Sequence, residues 1–330
     1  MRIVFAGTPA PAVPSLRALA ATSHEIVGVV TRRDAPLGRK RILTPSPVAA
    51  AADELGLPVV KTDRLDADAT ARIEALRPDL GVIVAYGGLV REPLLSSPEH
   101  GWINLHFSLL PAWRGAAPVQ HALIAGDRTT GASVFQLVPA LDAGDVYGGV
   151  RYAVPRGATA GDVLAELADL GGDLLVDVVE QVAAGTAVAT PQSGEPTLAP
   201  KLSLSDGALD FTASADAVVD RFRGTTPEPG AHTWIGGQRL KVLDAHRGPD
   251  LELAPGVLTL AGRDVVVGTG EGTVLLKTVQ PAGKGTMAAA DWWRGLRADE
   301  VRADAAPSAD TVPSADAAPS ADTARSDGAS

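Results

Sequence analysis

Asn104 and His106 stand two residues apart at the end of the apolar run Trp102–His106, just before the turn Ser108-Leu109-Leu110-Pro111. The side-chain period of an extended strand is two, so both project from one face. An amide can donate to an oxygen that gains negative charge. An imidazole donates as the cation or accepts as the neutral ring near neutral pH. A third group, Asp142, follows the apolar run 132–138 in the turn Leu141-Asp142-Ala143-Gly144-Asp145. It can orient or charge His106, or pass a proton through water. Each has a plainer use, a lone histidine as a packed structural residue and a lone turn aspartate as a cap. That plainer use is the reading given to Asp145. On residue types alone, the Asn104–His106 pair divides about evenly between the two.

These residues need elements to hold them. The first half of the chain alternates strand and helix patterns. Strands are expected at 2–6, 26–30, 57–60, 80–85 and 102–106, and helices at 15–21, 47–55, 71–76 and 119–124. Such alternation argues an α/β fold with a mostly parallel sheet covered on both faces. The nearly all-apolar run 80–85 reads as a strand buried on both sides. Ligands then bind at strand C-termini, where Asn104 and His106 lie. Thr159 and Asp162 form a capping-box pattern opening a helix to about residue 184. A Gly-, Pro-, Thr- and Ser-rich stretch from 185 to 205 follows. Beyond it come a helix at 214–222 and short strands at 233–235, 239–243, 256–261, 264–267 and 273–278, broken by Gly and Pro, which suggest a small barrel. The domains are therefore 1–190, a linker 191–205, 206–303 and a tail 304–330. The tail repeats Pro-Ser-Ala-Asp three times at a six-residue period and is too poor in bulky apolar residues to order itself.

Among 330 residues there is no cysteine, which excludes disulfides, cysteine metal sites and a thiol nucleophile. The six histidines are scattered, none with a second ligand at zinc-like spacing, so no metal is expected. No apolar stretch approaches the roughly 18 residues of a membrane span, and the opening apolar run is too short for a signal peptide. The expectation is a soluble, cytoplasmic monomer. The net charge is −10, and five aspartates against one arginine in the tail account for part of it. A polyanion partner therefore needs a local basic patch. Residues 32–41 supply one, with Arg32, Arg33, Arg39, Lys40 and Arg41 against Asp34, and Pro36 and Gly38 argue for a loop. A strand leading to Gly7-Thr8-Pro9 opens like a dinucleotide fold, but the glycine fingerprint is missing, so nicotinamide binding is not supported.

Asn104-x-His106-x-Ser108-Leu109-Leu110-Pro111, with Asp142 downstream, resembles the formyltransferases that use 10-formyltetrahydrofolate. Further motifs resemble the methionyl-tRNA formyltransferase family within them. In the first domain they are Phe5-Ala6-Gly7-Thr8-Pro9, Thr44-Pro45-Ser46-Pro47-Val48, Val84-Ala85-Tyr86-Gly87 and Trp113-Arg114-Gly115-Ala116-Ala117-Pro118. In the second they are Ala199-Pro200-Lys201-Leu202 and Gln280-Pro281-Ala282-Gly283-Lys284. The resemblance spans residues 1 to about 300. It implies a Rossmann-like open sheet followed by an OB-like barrel, and formyl transfer from 10-formyltetrahydrofolate to methionyl initiator tRNA without a metal. It implies Asn104, His106 and Asp142 as the catalytic trio, with a protonated His106 beside Asn104 stabilising the oxyanion. It also implies folate contacts from Ser108, Leu109, Leu110, Pro111, Tyr86 and Gly87. For tRNA it implies contacts from Arg32, Arg33, Arg39, Lys40 and Arg41, with Lys201, Lys241 and Lys284 in the second domain.

The chain departs from the family at Ala10-Pro11, after Gly-Thr-Pro, and at Gly224–Pro229, where an aromatic is lost. The alternative is a formyltransferase of the same fold acting on a small amine or amino sugar. A non-catalytic RNA-binding relic is the rival from another class.

Overall fold

The computed structural model describes residues 1–38 and 40–304. Arg39 and the Pro-Ser-Ala-Asp repeats lie outside the described residues. The first domain runs β1 (Arg2–Gly7), a 3-10 turn at Ala10–Ala12, α1 (Val13–Ala20), β2 (Glu25–Thr31), β3 (Ala35–Leu37), β4 (Ile42–Thr44), α2 (Pro47–Glu54), β5 (Val59–Lys61) and α3 (Ala67–Ala75). It continues with β6 (Leu80–Val84), β7 (Trp102–His106), β8 (Arg114–Gly115), α4 (Pro118–Ile124), β9 (Thr129–Gln136), β10 (Val146–Ala153) and α5 (Ala160–Ala183).

The main sheet has the order β10-β9-β7-β6-β1-β2-β5. Its five strands from β5 to β7 are parallel, and β9 runs antiparallel to both β7 and β10. Alternate residues of β1 enter opposite layers. Ile3 and Phe5 pack with Leu16, Leu19, Val48, Leu167 and Leu175 of α1, α2 and α5, while Val4 and Ala6 pack with Ile73 of α3, Leu94 and Trp102. Three of the first domain's helices start where a side chain satisfies a free N–H. Ser46 caps α2 and Asp66 caps α3, and Thr159 and Asp162 form the reciprocal capping box of α5. At Ala10-Pro11 the 3-10 turn delays α1 to Val13.

A short strand β11 (Leu198–Ala199) pairs in parallel with β8. The second domain holds a 3-10 turn at Leu204–Gly207, α6 (Ala215–Gly224), β12 (His232–Ile235), β13 (Gln238–Arg247), β14 (Val257–Ala261), β15 (Asp264–Gly268), β16 (Thr273–Pro281), β17 (Met287–Ala288), α7 (Ala289–Leu296) and β18 (Glu300–Arg302). Its antiparallel sheet runs β12-β13-β16-β15-β14-β18. A bridge between Trp234 and Asp304 brings the last strand back to the first, with Asp304 N donating to the Trp234 carbonyl at 2.8 Å. The curl is OB-like and encloses Phe211, Phe222, Leu240, Leu258, Val267, Leu276 and Trp293. Asp304, which composition assigns to the tail, thus belongs to the barrel. Composition also misses β10, whose Gly148-Gly149 pair disguises an edge strand, and α7.

The domains meet where α6 lies on α4. Gly224 is required there, because a Cβ would fall 2.5 Å from Ile124 and 2.6 Å from the Gln120 carbonyl. The Arg223 guanidinium, 2 % exposed, donates to Asp220 at 2.8 Å and to the Ala158 carbonyl of the first domain at 2.8 Å. Among the described residues no helix is long and apolar enough to cross a membrane, and no cluster of three His, Asp or Glu could hold a metal.

Candidate active site

Strands β1, β6 and β7 end at one edge of the sheet, and a cavity of about 520 Å³ opens there. That size suits a small-molecule ligand. Asn104, His106 and Asp142 all line it, with the apolar side chains of Ile83, Leu89, Val90, Leu137, Val138 and Leu141 and the backbone of 86–88. Asn104 Oδ1 is buried there with no hydrogen-bond partner. An unsatisfied acceptor of this kind costs about 1–3 kcal/mol unless a ligand or water supplies a donor. A larger cavity, about 610 Å³, lies among Glu92, His100, Gln136 and Tyr147, away from the trio. Tyr147 and Gln136 satisfy each other there at 2.7 Å, so it lacks an orphaned group and is not the site.

His106 is 6 % exposed, and its Nε2 lies 2.9 Å from the Trp113 carbonyl. A carbonyl only accepts, so Nε2 carries the proton. Nδ1 faces Asp142 Oδ2 at 3.8 Å, beyond hydrogen-bond reach. Burial pulls the His106 pKa below its ordinary value, against the upward pull of the Asp142 charge and the Trp113 bond. The ring is therefore neutral at pH 7, with its Nδ1 lone pair toward the carboxylate. This corrects the expectation of a protonated His106 as resting oxyanion donor, because desolvation outweighs the neighbouring charge.

Asp142 is held off the imidazole. Its Oδ2 accepts from Gly115 N at 2.8 Å, and its backbone sits at φ 44°, in the left-handed region. Its turn lies hard against β9, where a Cβ on Gly144 would come 1.8 Å from the Gln136 carbonyl. Ala85 (φ 48°) and Trp113 (φ 62°) share that unfavourable conformation. Ala85 and Asp142 both line the cavity, as strain at functional sites tends to do.

The other expected residues divide. Tyr86 and Gly87 line the cavity, with Tyr86 buried and its hydroxyl donating to the Thr62 carbonyl at 3.3 Å. Ser108, Leu109, Leu110 and Pro111 are not on its wall. The Ser108 hydroxyl is spent on the Ala112 carbonyl at 2.5 Å, and Ser133 ties the loop to β9. That turn supports Trp113, which supports His106.

The basic segment is a ribbon rather than a loop, with β3 paired to β4 through Leu37–Ile42. It rises from the end of β2, at the same sheet edge as the cavity. Lys40 and Arg41 are exposed at its tip. Arg33 lies 4.0 Å from Asp63. Arg32 Nη2 donates to the Gly87 carbonyl at 2.6 Å and ties the ribbon's base to the cavity loop. Lys201 follows Pro200, whose carbonyl is 2.9 Å from His121 on α4. Lys241 and Lys284 instead flank Gln280 on the barrel. Residue types alone assign nothing to Trp113, Gly115 and Gln192. The first two sit in a quoted motif, and Gln192 has no sequence signal at all.

The chain matches a formyl transferase family model over residues 1–179 and a formyl transferase C-terminal domain model over 201–297. It is 61% identical over 301 residues to the methionyl-tRNA formyltransferase of Leifsonia xyli, covering 91% of this chain and 99% of that one. Among solved structures it resembles a methionyl-tRNA formyltransferase from Clostridium thermocellum, with a TM-score of 0.56 and 13% identity, over 86% of this chain and 100% of that one. It also resembles HypX from Aquifex aeolicus in complex with tetrahydrofolic acid, with a TM-score of 0.58 and 19% identity, over 88% of this chain and 46% of that one. At these identities the structures speak for the fold.

Proposed function

The chain belongs to the formyl transferase family, among its methionyl-tRNA formyltransferases, and from that premise we propose that Asn104, His106 and Asp142 carry the transfer. The reaction moves a formyl group onto the amino group of methionyl initiator tRNA, giving the formylated aminoacyl-tRNA of translation initiation. We take the donor to be 10-formyltetrahydrofolate, which supplies the one-carbon unit and a nitrogen leaving group. The observation that carries the reading is the orphaned Asn104 Oδ1, buried beside a neutral imidazole and a carboxylate in one apolar cavity. Such a slot, with apolar walls beside the loop at 86–88, fits a flat pterin.

Asn104 serves both sides of the reaction. Its Oδ1 accepts from the attacking amine, and its Nδ2 donates to the formyl oxygen as that oxygen gains charge. One such preorganised donor contributes roughly 3–4 kcal/mol. His106 Nδ1 takes the amine proton as the new C–N bond forms. Asp142 then stabilises the imidazolium across 3.8 Å, while the Trp113 carbonyl keeps the ring oriented. The proton passes from Nδ1 to the folate nitrogen as its bond to the formyl carbon breaks. Tyr86 and Gly87 support the folate end. Lys40 and Arg41, with Arg39 and Arg33, meet the phosphates of the acceptor arm, and the barrel lysines add weaker contacts. The enzyme acts as a monomer in the cytoplasm, where its product is used.

The test mixes purified protein with 10-formyltetrahydrofolate and methionyl initiator tRNA and assays N-formylmethionine. Glycinamide ribonucleotide and unacylated tRNA run alongside. Formylation of the charged tRNA alone is expected. Transfer to a small amine instead would overturn the substrate and keep the fold.

A further inference from the structure

The segment between the domains reads from its composition as a tether, yet it is bonded to the catalytic loops along its length. Thr190 and Val146 exchange two backbone bonds at 2.8 and 2.9 Å. Gln192 Nε2 donates to the Asp142 carbonyl and to the Gly144 carbonyl, each at 2.8 Å. Its Oε1 accepts both Nε and Nη2 of Arg114, at 3.1 and 2.6 Å. Gly115, the next residue, donates its N–H to Asp142 Oδ2. Farther on, Thr197 Oγ1 accepts from Trp113 N at 2.8 Å, and the Thr197 carbonyl accepts from Arg114 N at 2.8 Å. Trp113 is the residue whose carbonyl orients His106.

We propose that this linker sets the geometry of the acid–base pair. Gln192 is a positioning residue for Asp142, and Thr197 is a positioning residue for His106 through Trp113. Asp142, Gln192, Arg114 and Gly115 form a ring of hydrogen bonds that fixes one carboxylate oxygen over one N–H. Asp142 sits at φ 44° in the left-handed region, in a turn whose two carbonyls both need donors. The Gln192 side-chain N–H groups supply them. A carboxylate 3.8 Å from the imidazole is neither bonded to it nor free to leave, and the ring enforces that spacing. A merely structural glutamine would contribute stability without governing what His106 senses.

The inference rests on the assignment of His106 and Asp142 made above, and its test has one arm that needs no substrate. Gln192→Ala removes both ends of the ring. Gln192→Glu keeps the shape and the Arg114 contact but sets an acceptor against two carbonyls. In both variants kcat for formyl transfer is expected to fall about tenfold or more, with KM for folate and for tRNA within twofold. In the substrate-free protein, the His106 imidazole followed by NMR should titrate at lower pH, because the Asp142 charge is no longer held beside it. Thr197→Val should lower kcat through Trp113, and Thr197→Ser should restore it. Variants with wild-type kcat and an unmoved His106 titration would overturn the proposal. So would a loss of kcat with the His106 titration unmoved, since Gln192 would then act elsewhere. Failure of the unmodified protein to formylate methionyl initiator tRNA would instead defeat the functional reading, which the NMR arm does not depend on.

Discussion

The buried ion pair at the domain interface and the imidazole–carboxylate pair of the cavity are built differently. Asp220 and Arg223 lie one turn apart on α6, closed at 2.8 Å, with a further bond to the Ala158 carbonyl of the other domain. His106 and Asp142 come from different elements and stand 3.8 Å apart. Each is bonded instead to backbone, the ring to Trp113 and the carboxylate to Gly115. The first pair is local and neutralises its own charge at the domain interface. The second is assembled by tertiary structure, stays open, and has an unsatisfied acceptor next to it on Asn104. The interface pair is in direct contact, with only Arg223 Nη2 left unpartnered, whereas the pair we propose as the proton carrier is kept from closing.

The difference predicts opposite consequences of mutation. Asp142→Asn should lower kcat about 10²–10³-fold, as losing a positioned acid–base group does, and Asn104→Ala should do the same through the lost oxyanion donor. Thermal melting of both should stay near wild type, and steady-state kinetics beside calorimetry checks it. Asp220→Ala should do the reverse. It strands a buried guanidinium and costs about 3–5 kcal/mol in denaturant unfolding, while the double change Asp220→Leu with Arg223→Met should recover most of the loss. If Asp220→Ala left stability intact, the contrast would fail.

Acid sharpens the same contrast. The folded pKa of His106 lies below the unfolded value near 6.5, so the unfolded chain binds its proton first as pH falls. The stability tied to the neutral ring is full above pH 6.5 and drains away as pH drops from there toward the folded pKa. His232, also lowered by burial, shares that direction. The acid limb of kcat/KM, in contrast, follows His106 and should move to lower pH in Asp142→Asn. A pH–rate profile of the two proteins checks it.

The smallest effects belong to the surface. Replacing Lys40 and Arg41 with alanine should weaken tRNA binding and reduce its salt slope, by roughly 0.7–0.9 per lost phosphate contact. Lys284→Ala alone should change binding by about twofold or less, an exposed lysine giving up little. Filter binding at several salt concentrations measures both.

The trio was legible because its signals are local. A two-residue spacing at a strand end and an aspartate in a glycine turn can be read without a structure, and so can the capping box of α5 and the apolar alternation of β1. The ribbon at 35–44 was not legible. Pro36 and Gly38 speak for a loop, and only the register of Leu37 on Ile42 makes it a strand pair. The inward turn of the Ser108 hydroxyl, onto the Ala112 carbonyl, was not legible either, since it depends on how the loop folds back on itself.

The sequence by itself determined most of the parallel-sheet strands and their helices and which side chains could do chemistry, since periodicity, caps and residue types act over a few positions. Tertiary structure decided the charge state of His106 and the distance to Asp142. It also decided that Arg32 serves the cavity loop and that Gln192 grips a turn fifty residues upstream. Desolvation and long-range hydrogen bonds depend on what packs against a group, and no local pattern encodes that.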